Sequence, residues 1–334
     1  MLRIHFTGED LARIRIAAEP DPLWELLISM NRLRRRDAGV IYGSWLKETL
    51  PQVPASTRAL TALAPPVGYS VDFLTAAAGA GLDHRIEALR ATPLPQVHTD
   101  LREFTRRNPT RRLPLWSREL VTGEATGLGR MADAADAYFA AVLTPYWDRI
   151  RVQVNRDRSR RSTTLLNGGW DAVLSTLHPS ARWDYPVLHL DYPVDQELHL
   201  RGRGLLLQPS FFCRHAPTTF ADPTLSPVLV YPIEHQVDWA APRTGSADGR
   251  ALATLVGPTR AVLLHAVADG TASTGELARR ASTTAPNASR HIAALREVSL
   301  VSSHRHRNTM LHTVTDLGLA LLSGADPLLP VRPG

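Results

Sequence analysis

Residues 271–296 read TASTGELARRASTTAPNASRHIAALR, and they contain the strongest structural signals in the C-terminal part of the chain. Ser273 or Thr274 offers a side-chain oxygen to the free backbone N–H groups at the start of a short helix. The three residues after that helix form a turn. Thr284 then begins a longer helix, whose first turn tolerates Pro286. The stretch therefore predicts two helices joined by a three-residue turn.

The residues on either side extend this motif. Gly257-Pro258 opens an earlier helix with an apolar stripe, and that helix ends at Asp269-Gly270. Residues 301–314 alternate apolar and polar side chains around a turn at Arg307-Asn308, as a β-hairpin does. Thr315-Asp316 caps a last helix. The order helix, helix, turn, helix and hairpin predicts a winged helix-turn-helix.

The helix after the turn carries side chains that suit DNA. Its first turns expose amide, hydroxyl, guanidinium and imidazole groups, which reach base edges and phosphates when a helix N-terminus enters the major groove. The hairpin, or wing, adds basic side chains for the DNA backbone or the minor groove. The predicted DNA-binding residues are Thr284, Ala285, Asn287, Ser289, Arg290, His291, Arg296, Arg305, His306 and Arg307. The alternative is a winged helix that contacts another protein, which needs no basic wing.

Three short words in this region resemble those of the ArsR-type winged-helix regulators: Glu276-Leu277-Ala278, Ser289-Arg290-His291 and Ala294-Leu295-Arg296-Glu297. The resemblance covers about the last 75 residues. It implies a homodimer on a palindromic operator, usually a repressor that an effector releases. The chain as a whole resembles ArsR-type regulators of high-GC bacteria that have a long uncharacterised N-terminal region. That second resemblance rests on the words Pro22-Leu23-Trp24-Glu25, Gly202-Arg203-Gly204-Leu205 and Leu229-Val230-Tyr231-Pro232.

The sequence departs from the ArsR pattern in three places. Ser282 and Ser299 stand where the family has glycine, so these turns either distort or accept left-handed geometry at some cost. Pro286 replaces a polar residue of the usual contact surface. The metal-sensing subgroup has cysteines in the helix before the turn, whereas residues 277–281 read Leu-Ala-Arg-Arg-Ala. A thiolate metal sensor is therefore excluded.

The N-terminal part reads as a mixture of helices and strands. Residues 1–7 and 13–16 alternate as strands do, and Asp21-Pro22 is a helix start. Prolines break residues 38–125 into short helices, and residues 128–177 are mainly helical. Four further segments alternate apolar and polar residues or run apolar between Gly and Pro residues, which predicts an antiparallel meander: 187–190, 197–200, 205–207 and 228–231.

The predicted fold class is α+β, with a mixed helical and antiparallel-β N-terminal domain followed by a C-terminal winged helix-turn-helix. Small and polar residues at 240–249 suggest a linker. The predicted domains are a sensory or dimerisation domain (1–240), a linker and lead-in helix (241–256) and a DNA-binding domain (257–325).

Two groups of polar residues raise the question of a metal site or an enzyme. One group crowds neighbouring strands of the N-terminal domain: His189, Asp191, Asp195 and His199. The other alternates along the wing: His304, His306 and His312. The first group lacks a ligand-spacing motif such as His-Glu-x-x-His, and no acidic partner lies near the second in the sequence. No nucleophile elbow, phosphate loop or dinucleotide fingerprint occurs either. We therefore expect strand-surface residues in the first group, phosphate-side histidines in the second, and no metal, cofactor or catalytic residues.

Aromatic side chains of the N-terminal domain have two interpretations. They either form ordinary core or line an effector pocket, and the candidates are Trp116, Tyr138, Trp147, Trp170, Trp183, Phe211 and Phe212. The basic runs Arg34-Arg35-Arg36 and 156–161 are interpreted as solvated helix faces.

The composition of the chain indicates two things. Its positive net charge suits an anionic partner, and its single cysteine is typical of proteins in a reducing compartment. The 334 residues carry a formal net charge of +6 and a single cysteine, Cys213. No apolar run approaches the length of a membrane span. We therefore expect a cytoplasmic, nucleoid-associated protein that regulates transcription, with double-stranded DNA and a second copy of the chain as partners and a small-molecule effector as a further one. The alternative is a ligand-binding or catalytic N-terminal domain, with the winged helix used for protein contacts.

Overall fold

A computed structural model of the chain describes residues 1–35, 39–77, 79, 81–214, 216–235, 239, 247–268, 272–306 and 309–322. The chain divides into two compact units, Met1–Ala241 and Pro242–Gly334, each with a hydrophobic core of its own. Both units combine helices with sheets, which confirms the α+β fold class. Within the described residues, none of the helices combines the length and apolar composition that crossing a bilayer requires.

Helices form most of the secondary structure of the N-terminal unit. They are α1 (Gly8–Ala12), α2 (Pro22–Arg35), α3 (Gly39–Thr49), α4 (Thr57–Leu63), α5 (Phe73–Ala76), α6 (Gly81–Arg90), α7 (Leu94–Arg107), α8 (Ser117–Thr122), α9 (Ala125–Tyr138) and α10 (Trp147–Ser175). The predicted start of α2 is confirmed, because Asp21 Oδ1 accepts from the backbone N–H groups of Leu23 and Trp24 at 3.0 and 3.1 Å. The short helices expected among the prolines are also present, as α3 to α8.

Two sheets complete this unit. Their strands are β1 (Leu2–His5), β2 (Arg15–Ile16), β3 (Arg182–Asp184), β4 (Val187–Leu190), β5 (Gln196–His199), β6 (Leu206–Ser210) and β7 (Val228–Pro232). The first sheet has the order β3-β4-β1-β5, with β1 antiparallel to β4 and parallel to β5. The second has the order β2-β6-β7 and is parallel.

The predicted antiparallel meander is therefore wrong, although its four strands exist. They are divided between two sheets, and β1 lies between β4 and β5. Alternation along a strand indicates which side chains are buried, but it carries no information about the partner strand. Here β4 and β5 both pair with β1, and β6 pairs with β2, so three of the four strands have a partner in the first 16 residues of the chain.

The aromatic residues considered for a pocket pack into or against the N-terminal core. Phe211 and Phe212 are fully buried, and their rings contact those of Tyr42 and Trp239. Tyr138 is also fully buried. The remaining candidates are partly buried against the same core: Trp116, Trp147, Trp170 and Trp183.

The C-terminal unit begins with a helix and continues with the predicted motif. Its elements are α11 (Ala247–Val256), α12 (Pro258–Ala268), β8 (Ala272–Ser273), α13 (Thr274–Arg280), α14 (Ala285–Glu297), β9 (Val301–His306), β10 (Thr309–Val314) and α15 (Asp316–Leu322). The three strands form an antiparallel sheet with the order β8-β10-β9. Leu264 of α12, Leu277 of α13, and Ile292 and Leu295 of α14 share one core. Residues 240–246 of the expected linker and the predicted stop at Asp269-Gly270 lie outside the described residues.

Candidate nucleic-acid interface

Local signals in the sequence position α13 and α14. Ser273 caps α13, since its Oγ accepts from the backbone N–H of Glu276 at 3.3 Å. Thr284 precedes α14 with extended backbone angles, and Pro286 lies in the first turn of the helix. Proline costs nothing there because its position has no intrahelical acceptor to lose. The two helices thus begin where the sequence predicts.

Ser282 and Ser299 adopt the left-handed conformation that glycine has in the resembled family. Their φ angles are 49° and 59°. The backbone N–H of Ser282 donates to Arg279 O at 3.2 Å, and that of Ser299 donates to Arg296 O at 2.9 Å. Of the two outcomes expected from the sequence, strained geometry without distortion of the turn is therefore the one found.

The outward side of α14 carries most of the predicted residues. Thr284, Ala285, Ser289, Arg290 and Arg296 are exposed, and Asn287 and His291 are half-buried. The opposite side carries Ala288, Ile292 and Leu295, which are buried in the core. The amphipathic pattern therefore directs these polar groups away from the body of the unit.

Two of these polar side chains, Asn287 and Arg290, form a chain of hydrogen bonds with Thr283 at the start of α14. Asn287 Nδ2 donates to Thr283 Oγ1 at 2.8 Å. Arg290 donates from a terminal guanidinium nitrogen to Asn287 Oδ1 at 3.1 Å. Thr283 is not among the residues predicted from the sequence. Because these contacts restrict the rotamers of Asn287 and Arg290, they lower the entropy lost when the two side chains engage a ligand.

The wing provides a second set of basic groups. Arg305 is exposed on β9, opposite Met310 of β10. His306 is the last residue of β9 and lies opposite Thr309. Arg307 lies outside the described residues. The end of α13 adds Arg279, which is exposed. Arg279 was not predicted, because the predicted residues lie on α14, at its start and on the wing.

His312 differs from the expectation for the wing histidines. Its side chain is 5% exposed, with Nε2 2.8 Å from Thr274 Oγ1 and Nδ1 2.7 Å from Ser303 Oγ. Burial lowers the pKa of His312 below its usual value. The expectation of a phosphate-side position was wrong because β10 is the central strand of its sheet, so His312 has neighbours on both β8 and β9.

A family model described as "Helix-turn-helix domain" matches residues 255–304, from the end of α11 into β9. The C-terminal unit is a winged helix-turn-helix. Two solved structures are similar to this chain. Reduced HlyU from Vibrio cholerae is 26% identical, over 24% of this chain and 85% of that chain, with a TM-score of 0.20. NolR from Sinorhizobium fredii is 25% identical, over 26% of this chain and 95% of that chain, with a TM-score of 0.19. No curated protein matches the chain.

The N-terminal unit contains a cavity of about 310 Å³. Its walls are largely apolar, with a few polar groups, and they include Trp24, Ile28, Arg32, Tyr69, Asp72 and Tyr192. Burial raises the pKa of Asp72 to about 6. Cys213 also lines the cavity, and burial raises the pKa of its thiol to about 12, so that it is not a nucleophile near neutral pH. The volume and lining suit a small organic molecule with one or two polar groups.

Proposed function

We propose that this protein is a transcriptional regulator that binds double-stranded DNA sequence-specifically through α14 and the wing. The observation that carries the proposal is the hydrogen-bonded chain of Thr283, Asn287 and Arg290 at the start of α14. The match of residues 255–304 to the helix-turn-helix family supports the same assignment.

In the proposed complex the first turns of α14 enter the major groove. Arginine pairs with the two acceptors of guanine, and asparagine pairs with adenine, so Arg290 and Asn287 are the residues assigned to base edges. The exposed Ser289 and the half-buried His291 flank them on the same helix. Arg305 on the wing contacts the DNA backbone, where a guanidinium group contributes affinity without reading sequence.

We further propose that the protein acts as a homodimeric repressor on a palindromic operator in the cytoplasm. One α14 helix spans only a half-site, and a two-fold dimer doubles the contacts while matching the symmetry of a palindrome. The N-terminal unit serves sensing or dimerisation in this scheme, and an effector occupies its cavity. The scheme assigns no catalytic step to the chain.

The deciding experiment is a fluorescence-anisotropy titration of the full chain against the DNA upstream of its own gene and an unrelated duplex. We expect selective binding that weakens as salt rises, because released counterions oppose binding at high salt. Arg290→Ala removes one set of base contacts, worth about 1–3 kcal/mol, or roughly 5- to 150-fold in affinity. Arg260→Ala on α12 makes the same change in net charge and serves as the control. Equal affinity of folded Arg290→Ala and wild type would refute the assignment of α14.

The cavity favours a second candidate function, in which the N-terminal unit binds a ligand and the winged helix contacts another protein. This alternative expects no salt-sensitive affinity for either duplex. A thermal-shift screen of small molecules, followed by intrinsic tryptophan fluorescence, tests the cavity independently of DNA, since a bound ligand stabilises the folded unit. A ligand that stabilises the unit and also releases bound DNA would support both parts of the main proposal.

A further inference from the structure

The sheet β3-β4-β1-β5 has one buried side and one side with charged and imidazole groups. The buried side includes Leu2, Ile4, Leu188, Leu190 and Leu198. Alternate residues of the same strands lie on the other side and are half-buried or exposed: Arg3, His5, Arg182, Asp184, His189, Glu197 and His199. The pairing of β1 with β5 thus brings residues 3 and 5 beside residues 197 and 199.

His5, Glu197 and His199 form a tight group on this side. His5 lies opposite His199 in the register, and their rings stack with centroids 4.3 Å apart. His5 Nε2 is 2.5 Å from Glu197 Oε2. One ligand atom from each of the three residues lies within 4.8 Å of the others. Among the described residues, no other three His, Cys, Asp or Glu side chains come this close.

We propose that His5, Glu197 and His199 bind a divalent transition-metal ion of the Zn²⁺ class. Two imidazoles and one carboxylate are a donor set that Zn²⁺ accepts, with bonds of about 2.0–2.2 Å. Imidazole favours Zn²⁺, Cu²⁺ and Ni²⁺ over Mg²⁺ or Ca²⁺. Three protein ligands leave one coordination position for water or another small ligand. The site belongs entirely to the N-terminal unit and does not depend on DNA binding.

Binding requires only side-chain adjustment. The ion replaces the hydrogen bond between His5 and Glu197, and the two rings rotate out of their stack so that a nitrogen of each faces the ion. The side chains of His5 and Glu197 are 32% and 42% exposed, so this rotation disrupts no core packing. Arg3 Nε lies 2.5 Å from Glu197 Oε1, the oxygen that His5 does not contact. Arg3 therefore orients the carboxylate while Oε2 remains available to the ion.

The site differs from the group that sequence analysis considered. His199 belongs to both, whereas Asp195 contacts the Met1 amino group at 3.2 Å and His189 lies opposite Arg3. His5 and Glu197 were not considered. They are far apart in the sequence, so no ligand spacing links them, and only the parallel pairing of β1 with β5 brings them together.

The test is a Zn²⁺ titration of the full, tag-free, chelator-treated chain in competition with a chromophoric zinc indicator at pH 7.5. We expect tight binding of at least one equivalent. His5→Gln and His199→Gln should each weaken binding of one equivalent by at least about tenfold, since even the outer partners of metal ligands affect affinity that much. His98→Gln is the control, because His98 is a half-buried histidine of the same unit outside the group.

Equal stoichiometry and affinity in wild type and both cluster variants would overturn the proposal, as would zinc binding that weakens equally in His98→Gln. Persistent binding in the cluster variants would assign the ion to other histidines, such as those of the wing. A circular-dichroism melt checks folding, and the melt should stay unchanged because neither histidine belongs to the core: His5 is half-buried and His199 is exposed. If the melt does change, Glu197→Gln replaces the histidine variants. We expect it to weaken zinc binding by at least about tenfold. Zinc affinity equal to that of the wild type would overturn the proposal.

Discussion

His312 on the wing and Thr274 at the start of α13 approach each other to 2.8 Å, measured between Nε2 and Oγ1. The other ring nitrogen of His312 lies 2.7 Å from Ser303 Oγ on β9. One buried imidazole therefore connects both wing strands to the first helix of the helix-turn-helix pair. This connection ties the position of Arg305 to that of α13 within the unit.

The stability of the winged helix should fall as the pH drops below about 6.5. Burial lowers the pKa of His312 from 6.5, so the unfolded chain takes up this proton at a higher pH than the folded chain does. Protonation thus favours unfolding once the pH falls below the pKa that His312 has in the unfolded chain. Hydrogen exchange, corrected for intrinsic rates, measures the protection of the amide groups in α14. Between pH 7 and pH 5 this protection should fall less in His312→Asn than in the wild type. His304→Asn, an exposed change on β9, should keep the wild-type loss. Equal pH dependence in wild type and His312→Asn would contradict the assignment.

Arg305→Ala should weaken binding to operator and unrelated DNA by similar factors. A phosphate contact carries no sequence information, so its removal lowers affinity without changing selectivity. The slope of log affinity against log salt should shrink by about 0.9, the contribution of one phosphate contact. Arg102→Ala, an exposed arginine on α7, controls for net charge and should leave the slope unchanged. A loss confined to the operator would instead make Arg305 a base-reading residue.

Ser282→Gly and Ser299→Gly should each stabilise the C-terminal unit by about 0.5–1 kcal/mol. Both serines have positive φ angles, which cost an L-residue roughly 1–2 kcal/mol. Glycine avoids this cost but loses more backbone entropy on folding, so the net stabilisation is smaller. Hydrogen exchange in α13 and α14 measures the change. Ser302→Gly is the matched control on β9, where glycine should destabilise. Destabilisation by all three variants would mean that the left-handed turns are unstrained.

Glu25→Ala should lower the free energy of unfolding of the N-terminal unit by about 2–4 kcal/mol, because two buried donors lose their acceptor. Glu25 is fully buried and accepts from the backbone N–H groups of Phe211 and Phe212 at 2.7 and 3.0 Å. Tryptophan fluorescence reports this unit selectively, since all 7 tryptophans lie between positions 24 and 239. Glu87→Ala, at a side chain that is 74% exposed, is the control and should cost little. Unfolding midpoints that agree between Glu25→Ala and Glu87→Ala would contradict the prediction.

Glu25 also predicts a pH dependence opposite in sign to that of His312. Burial raises the pKa of Glu25 from 4.5 to about 8, so the folded unit holds a proton that the unfolded chain releases. The contribution of Glu25 to stability is therefore present at low pH and falls as the pH rises between these two values. Glu25→Gln cannot titrate, and chemical unfolding followed by tryptophan fluorescence should show a smaller decline from pH 5 to 8. A decline as steep as in wild type would place the titration on another group.

Signals within a few residues of one another were enough to predict much of this protein. The Asp21-Pro22 start of α2, the Ser273 cap of α13 and the Thr284 start of α14 are all present. Helix caps and hydrophobic periodicity depend on residues within one or two helical turns, so they can be recognised in the sequence without knowledge of the fold. The polar side of α14, and with it most of the candidate DNA surface, followed from the same local pattern.

From the amino-acid sequence alone we predicted the starts of α2, α13 and α14, the buried and polar sides of α14, and a helix-turn-helix with a hairpin in the C-terminal part. The three-dimensional fold, in contrast, places β1 between β4 and β5, brings His5 to Glu197 and His199, and buries His312, and no local pattern predicts these contacts. Strand pairing depends on the packing of segments about 190 residues apart, where many registers share the same alternation. The free-energy differences among those registers depend on packing throughout the core, so the register cannot be predicted from any short stretch of sequence.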